Sequence, residues 1–362
     1  MPMDSLWEFG GDFPWPDPTK VASVLSPPAS APFWANGVLF GTGRAAILAL
    51  LAHGKSTRGW KRLWVPSYFC PRVIETIEQA GWNCPRYPDT PFARPSGTPP
   101  HICTGDVVLR MNFFGWRGKE AVRDTAELPC DVIEDHSHDP LGPWARESRA
   151  AYCVVSLRKT IPIPDGGWLW SPQDLALPEP DAPSTEHLLA AGFKISGMIL
   201  KQHFKCGQPI TKQHFRDCLL KGEELLGTGT PGGIHPASGA MLAVLSPDTL
   251  AQKRRENFYA FHRRLPNVAE LPAANHLSKD CTPFCVVLVF NSLAQRGWVK
   301  QQLIENNIYP SVLWFLPRET EPQAVDWGNR SLTLHCHYQY SESDMERTAD
   351  TLDSILKKLP PA

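Results

Sequence analysis

The sequence predicts an α/β protein: a large domain over residues 1–240, built on a mostly parallel sheet sandwiched by helices, and a smaller α+β domain over residues 241–362. Two observations predict it. In the first half, short apolar runs alternate with helix-period segments and turn residues, the pattern of parallel strands joined by covering helices. From about Met241 the order changes to a charged helical stretch, separated strands and a terminal helix. With 362 residues and 42% hydrophobic content, the chain can bury a core in each part.

Taken in order, Arg44 to His53 (RAAILALLAH) is rich in strong helix formers and follows the turn Phe40-Gly41-Thr42-Gly43. Trp64-Val65-Pro66 ends a strand, and Pro71 to Ala80 forms a helix with Val73, Ile74, Ile77 and Ala80 on one face. Further strands are expected at Asp106 to Met111, Asp131 to Glu134 and Tyr152 to Ser156. Each is followed by polar or Gly-containing sequence, where an open α/β sheet places its ligand contacts. The Pro- and Asp-rich stretch from Ser171 to Thr185 is an exposed loop. In the second domain, helices are expected at Asp248 to Arg264 and around Trp298 to Asn306, with strands at Phe284 to Phe290 and Ser331 to His335. A last helix, Glu342 to Leu359, is entered through Ser341 as N-cap.

Composition narrows the function. Lys and Arg number 36 against 37 Asp and Glu, so no basic footprint points to nucleic acid or an anionic membrane. A small-molecule partner is expected instead. The opening MPMDSLWEFGGDFPWPDP has neither a basic n-region nor an apolar h-region, and no run of about 18 apolar residues occurs, which predicts a cytoplasmic location. The ten cysteines are scattered and read as reduced thiols. Cys103, Cys130, His136, His138 and Cys153 match no zinc-ligand spacing, and no metal is expected.

Four features bear on chemistry. Lys159 follows the strand YCVVS and stands six residues before Asp165-Gly166-Gly167. Asp135 ends the apolar run Val132-Ile133, with His138 three residues on. Thr42, Gly43, Arg44, Ala45 and Ala46 open a helix directly after a turn, where free backbone N–H groups and the helix dipole can hold a phosphate. Tyr68 and Phe69 lie in the loop after the second strand, and Ser156 precedes the lysine by three residues. A lysine for an aldehyde, an anion for a ring nitrogen, a phosphate cradle and aromatic contacts are what pyridoxal 5'-phosphate (PLP) asks of a protein. Singly, each also has a plain structural reading: a solvated lysine, a turn-capping aspartate, a tight-turn glycine, packed aromatics.

Their joint order, phosphate turn, aromatic loop, strand-end Asp, then Lys before Gly-Gly, resembles the large domain of fold type I PLP enzymes. The chain is most similar to divergent members of the DegT/StrS family of aminotransferases, through Glu8 to Phe13 (EFGGDF), Thr42 to Ala46, Val65 to Pro71, Val132 to Gly142, Ser156 to Gly167 (SLRKTIPIPDGG), Ile308 to Pro317 and the terminal helix. The resemblance implies Lys159 as the Schiff-base lysine, Asp135 as the partner of the ring nitrogen, and His138 close to the ring. It implies Gly43, Arg44 and Ala45 as the phosphate turn. Three positions depart from the pattern: Val154 stands where the phosphate-binding serine is usual, leaving Ser156; Cys70 stands where the stacking aromatic is usual, leaving Tyr68 or Phe69; and Arg44 replaces Thr or Ser.

The expected activity is amino transfer from an amino acid, glutamate foremost, to a keto acceptor such as a nucleotide-linked keto sugar. Lys159 and Asp135 would be the catalytic pair. Arg110, Asn112, Phe114, Trp116 and Trp314 lie at expected strand ends, with Asn112, Phe114 and Trp314 chosen for the substrate side. PLP chemistry of another type, such as elimination, decarboxylation or carbon-carbon bond chemistry, stays open, as does a non-catalytic relative. The resemblance further implies a homodimer with shared active sites.

Overall fold

A computed structural model describes residues 7–16, 33–91, 93, 97–227, 232–265, 268 and 280–360. The reading of the first residues as lacking a leader rests in part on positions 1–6 and 17–18, outside the described residues.

A short strand, Phe9–Gly10 (β1), precedes Gly37–Phe40 (β2), helix Gly43–Thr57 (α1), Arg62–Pro66 (β3), helix Pro71–Gln79 (α2), Arg86–Tyr87 (β4) and Asp106–Met111 (β5). Helix Glu120–Ala126 (α3), Asp131–Asp135 (β6), the single turn Pro143–Arg146 (α4), Tyr152–Ser156 (β7) and Gly167–Trp170 (β8) follow. Strands β2 to β8 form one seven-stranded sheet in the order β2-β8-β7-β6-β5-β3-β4. The run from β7 to β4 is parallel, and β8 is antiparallel to both β7 and β2. All six residues of β5 are buried, as are four of five in β7. Strands buried along nearly their whole length are covered on both faces. One cover is α1, whose Ala45, Ala46, Ile47, Leu50 and Leu51 are buried and whose N-cap Thr42 accepts the Ala45 N–H at 3.0 Å.

Two long helices follow, Thr185–Lys205 (α5) and Lys212–Leu226 (α6). They pack closely because each puts a glycine where the other presses: a Cβ on Gly197 would lie 2.6 Å from the Leu219 side chain, and one on Gly222 2.7 Å from that of Lys194. Pro236–Val244 (α7) and Pro247–Arg264 (α8) lead into Cys285–Val289 (β9), Leu293–Glu305 (α9), Ile308–Tyr309 (β10), Pro322–Arg330 (α10), Ser331–His335 (β11) and Glu342–Leu356 (α11). Strands β9 and β11 pair antiparallel over five residues, and Phe258, Phe261, Met345 and Leu352 join them in a separate core. Ser341 and Asp344 complete a capping box at the start of α11.

The N-terminal strand does not join the large sheet. It pairs in parallel with β10, because Phe9 is fully buried in the C-terminal core, stacked on Tyr340 at 4.1 Å. The first residues described therefore lie against the last third of the chain.

Candidate active site

A cavity of about 430 Å³ opens between the C-terminal ends of β6 and β7, the start of α1, and the wall formed by β9 and β11. Lys159 lies in it, on a 3₁₀ turn, Leu157–Lys159, directly after β7. The turn is fastened at both ends. Leu157 N–H donates to Gly166 O at 3.0 Å, and Gly166 N–H donates to Gly41 O at 2.7 Å. This fixes what each glycine of Asp165-Gly166-Gly167 is for: Gly166 has φ +130°, and a Cβ on Gly167 would lie 2.3 Å from Thr42 O. Asp165, fully buried, accepts from His187 Nε2 at 2.6 Å, from His235 N–H at 2.9 Å, and from the Ser238 hydroxyl. Helices α5 and α7 are thus tied to one carboxylate on the lysine loop, and the turn before α1 to the same loop through Gly166.

Asp135 occupies the last position of β6 and accepts the Ser137 N–H at 2.8 Å, leaving its side chain against the cavity. His138 is clamped between aromatic rings, 4.2 Å from Phe284 and 5.8 Å from Phe114, nearly parallel to both. Its Nδ1 accepts the Phe114 N–H at 3.0 Å, so the ring proton sits on Nε2, which has no partner among the described residues. Burial, followed by the charge of Lys159, holds His138 well below the ordinary histidine range. It is a neutral N–H donor on the cavity wall.

Gly43, Arg44 and Ser156 line the cavity together, and a Cβ on Gly43 would stand 3.1 Å from Ser156 Cβ. The first helical backbone bond of α1 is Ala46 N–H to Thr42 O, so the amides of Gly43 and Arg44 precede it. Ala45 contributes no cavity wall, since its N–H is taken by Thr42. Beside this turn Arg158 makes a two-pronged bond to Glu223 of α6 at 2.7 and 2.8 Å. Burial opposes the Glu223 charge, but Arg158, Lys194 and Arg44 outweigh it and bring the carboxyl down to about 2.

Other residues chosen from the sequence fall behind the wall. Tyr68 and Phe69 are buried outside the cavity lining, 5.4 and 6.2 Å from the Trp314 ring, which they back. Trp314 itself lines the cavity, 6.0 Å from Lys159 Nζ, and Cys70 lines it from the β3 loop. Asn112 and Phe114 shape the turn under His138: Asn112 Oδ1 accepts the Arg117 N–H, and Phe114 O accepts the Phe284 N–H. Arg110 and Trp116 are buried away from the opening. Of the cysteines and histidines weighed as zinc ligands, His136 and Cys153 do meet, with Glu134. The Glu134 oxygens there accept from Thr125, Trp144, Ser148 and His136. Sequence reasoning missed Arg158, Glu223, Phe284, Ser311, His335 and His337. The alternation of His335 and His337 at the end of a strand was the available signal for that pair.

No family model and no curated protein matches the sequence. Solved structures do. Spr1654 from Streptococcus pneumoniae in its PLP form, named as a sugar aminotransferase, aligns at a TM-score of 0.63 with 12% identity, over 98% of this chain and 100% of that one. PseC of Helicobacter pylori, an aminotransferase involved in the biosynthesis of pseudoaminic acid, aligns at 0.61 with 11% identity over 98% and 100%. DesI, solved in the presence of its TDP-sugar product, aligns at 0.55 with 15% identity over 97% and 86%. This chain has the aminotransferase fold. The likeness runs from end to end, so the sheet, the excursion through α5 and α6 and the C-terminal part all belong to that one architecture.

Proposed function

We propose that this chain is a PLP-dependent aminotransferase that takes an amino group from an amino acid, glutamate foremost, and passes it to a keto acceptor of the nucleotide-linked sugar kind. One observation carries the reading: Asp135 and His138 from the end of β6 and Lys159 from the turn after β7 converge on one cavity that the N-terminus of α1 also faces. The residues fit the cofactor. His138 Nε2 is a buried donor without a partner among the described residues, suited to a phenolic oxygen. The Gly43 and Arg44 amides with the Ser156 hydroxyl suit a phosphate, and the absent side chain of Gly43 keeps that cradle open.

When bound, PLP supplies an electron sink for breaking a C–H bond at an amino-bearing carbon. Lys159 would hold the cofactor through its ε-amine, and the same amine would take and return the proton at the amino-bearing substrate carbon. Asp135 would pair with the ring nitrogen and favour its protonated form. Trp314 and Phe284, both on the cavity wall, exclude water from the reacting side. The sugar acceptor is supported by the names of the structural neighbours, and by Arg44 and Arg72 at the cavity, cations suited to anionic substrate groups.

A homodimer is part of the same reading, supported by large apolar side chains left exposed on α5 and α6, Leu188, Leu189, Phe193, Ile199 and Leu220. No helix among the described residues is long and apolar enough to cross a membrane. One preparation tests the whole proposal. PLP-loaded protein, sized by light scattering as a dimer, should lose its visible absorbance on addition of glutamate, and borohydride should fix the cofactor on Lys159 by mass mapping. An adduct on another lysine, or no response to any amino acid, overturns it.

A further inference from the structure

The β11 wall of the cavity carries polar residues that the reaction above leaves unused. Ser311, His335 and His337 all line it. Ser311 is pinned to Thr333 by two backbone bonds of 2.9 and 2.8 Å, which sets its hydroxyl 3.3 Å from His335 Nε2. His335 Nδ1 in turn lies 2.8 Å from His337 Nε2. Phe13 packs on the His337 ring at 4.4 Å, and His337 Nδ1 is buried without a partner among the described residues. The neighbouring cation Lys201 is engaged by Glu8 and by the carbonyls of Gly10 and Asp12.

Both rings are neutral near pH 7. Burial, then Lys201, brings His335 down to about 4, and burial with His335, Arg254 and Lys201 holds His337 well below the usual range. Each ring then has one proton, and the two facing nitrogens share one between them. Only two arrangements satisfy the chain of contacts. In the first, Ser311 donates to His335, His335 Nδ1–H donates to His337, and His337 Nδ1–H is left as a donor. In the second every bond is reversed, and a bare His337 Nδ1 is left as an acceptor.

We propose that Ser311, His335 and His337 form a neutral hydrogen-bond relay that reads a hydroxyl group of the substrate at His337 Nδ1. The inference rests on reading the cavity as a substrate site. Passing from the first arrangement to the second gives up one proton at Nδ1 and takes one from solvent at Ser311 Oγ, so neither ring carries two. A hydroxyl both donates and accepts, and it fits either arrangement. A carboxylate accepts only and would meet no cation on these rings; an ammonium donates only. The wall therefore selects a neutral, hydroxyl-bearing substrate face, while the charged groups of the substrate go to the arginines of the α1 side.

The test uses PLP-loaded protein labelled with ¹⁵N-histidine and titrated with D-glucosamine, with cyclohexylamine and acetate as controls. The His335 and His337 ring signals should move with glucosamine alone, and the response should be lost in Ser311→Ala, which removes one end of the relay. His337→Leu should raise the half-saturating glucosamine concentration at least tenfold with cofactor retention unchanged, and His337→Asn, which returns a polar atom near Nδ1, should recover most of it. Ring signals that ignore glucosamine, or follow acetate equally, overturn the proposal; if His337→Leu fails to fold, the Ser311→Ala titration decides alone. Failure of the aminotransferase reading is separate, because it shows as wild-type protein whose absorbance glutamate does not change.

Discussion

At the scale of single residues, Asp135 and His138 illustrate how one loop gives two nearby groups different roles. Asp135 ends β6 with one oxygen on the Ser137 amide, so its carboxylate is oriented before any ligand arrives. His138 is stripped of water by two flanking rings and kept neutral, with its donor direction set by the Phe114 amide. An anion for a ring nitrogen and a neutral donor for an oxygen are different tools, and the three-residue spacing supplies both. Replacing Asp135 by Asn keeps the shape and removes the charge that, in the proposed reading, would hold a proton on the ring nitrogen. Asp135→Asn should retain cofactor while slowing turnover about a thousandfold or more, on the order of 4 kcal/mol, read as single-turnover rate beside cofactor content. Near-native turnover would reduce Asp135 to a turn cap.

At the scale of elements, the motif Asp165-Gly166-Gly167 works through the backbone that it lets approach. Gly167 opens β8, and β8 lies against the turn that begins α1, so the lysine loop and the phosphate turn are one packed unit. Gly167→Ala puts a methyl 2.3 Å from Thr42 O, where only backbone can yield. The variant should fold, since the sheet is otherwise untouched, yet bind PLP at least about tenfold more weakly, about 1.4 kcal/mol, by absorbance titration. Affinity equal to wild type would show that the cradle does not depend on this contact. Much of this architecture was legible in the sequence: β5, β7 and β11 fall where their apolar runs end, and α11 starts at its capping serine. Helices α5 and α6 were not, because their contact mixes the glycines Gly197 and Gly222 and the Lys194 stem with apolar residues such as Leu219, Phe204 and Phe215. Tyr68 and Phe69 were read as ring contacts because composition cannot tell a wall from its backing; Trp314, some 245 residues on, takes the front position. Glu223 was unreadable for the same reason, its importance lying in a partner, Arg158, supplied by another element.

At the scale of the whole molecule, the cavity lies where two hydrophobic cores meet, and its lining includes three uncharged histidines. His138, His335 and His337 line it, and His262 is buried in α8, its ring tilted at 46° against Phe258 at 4.3 Å. Burial brings His262 and His335 down to about 4, and His138 and His337 lie well below the usual value. In the unfolded chain each titrates near its ordinary 6.5. Between that value and about 4 the unfolded state therefore binds more protons, so stability falls as pH falls, by up to about 1.4 kcal/mol per pH unit for each histidine. Asp139 acts in the opposite sense. Burial raises its carboxyl from 3.8 to about 6, so the folded state takes up that proton first and gains stability on acidification through this window. Four histidines oppose one carboxyl, and the balance predicts a protein markedly less stable at pH 5 than at pH 7. Urea midpoints at pH 7, 6 and 5 should fall in that order, and the decline should be shallower in His262→Phe, which removes one titrating group from a site where burial is the whole cause of the shift. Midpoints that hold level or rise toward pH 5 would mean that the cleft admits water and that these histidines can take up their protons without unfolding.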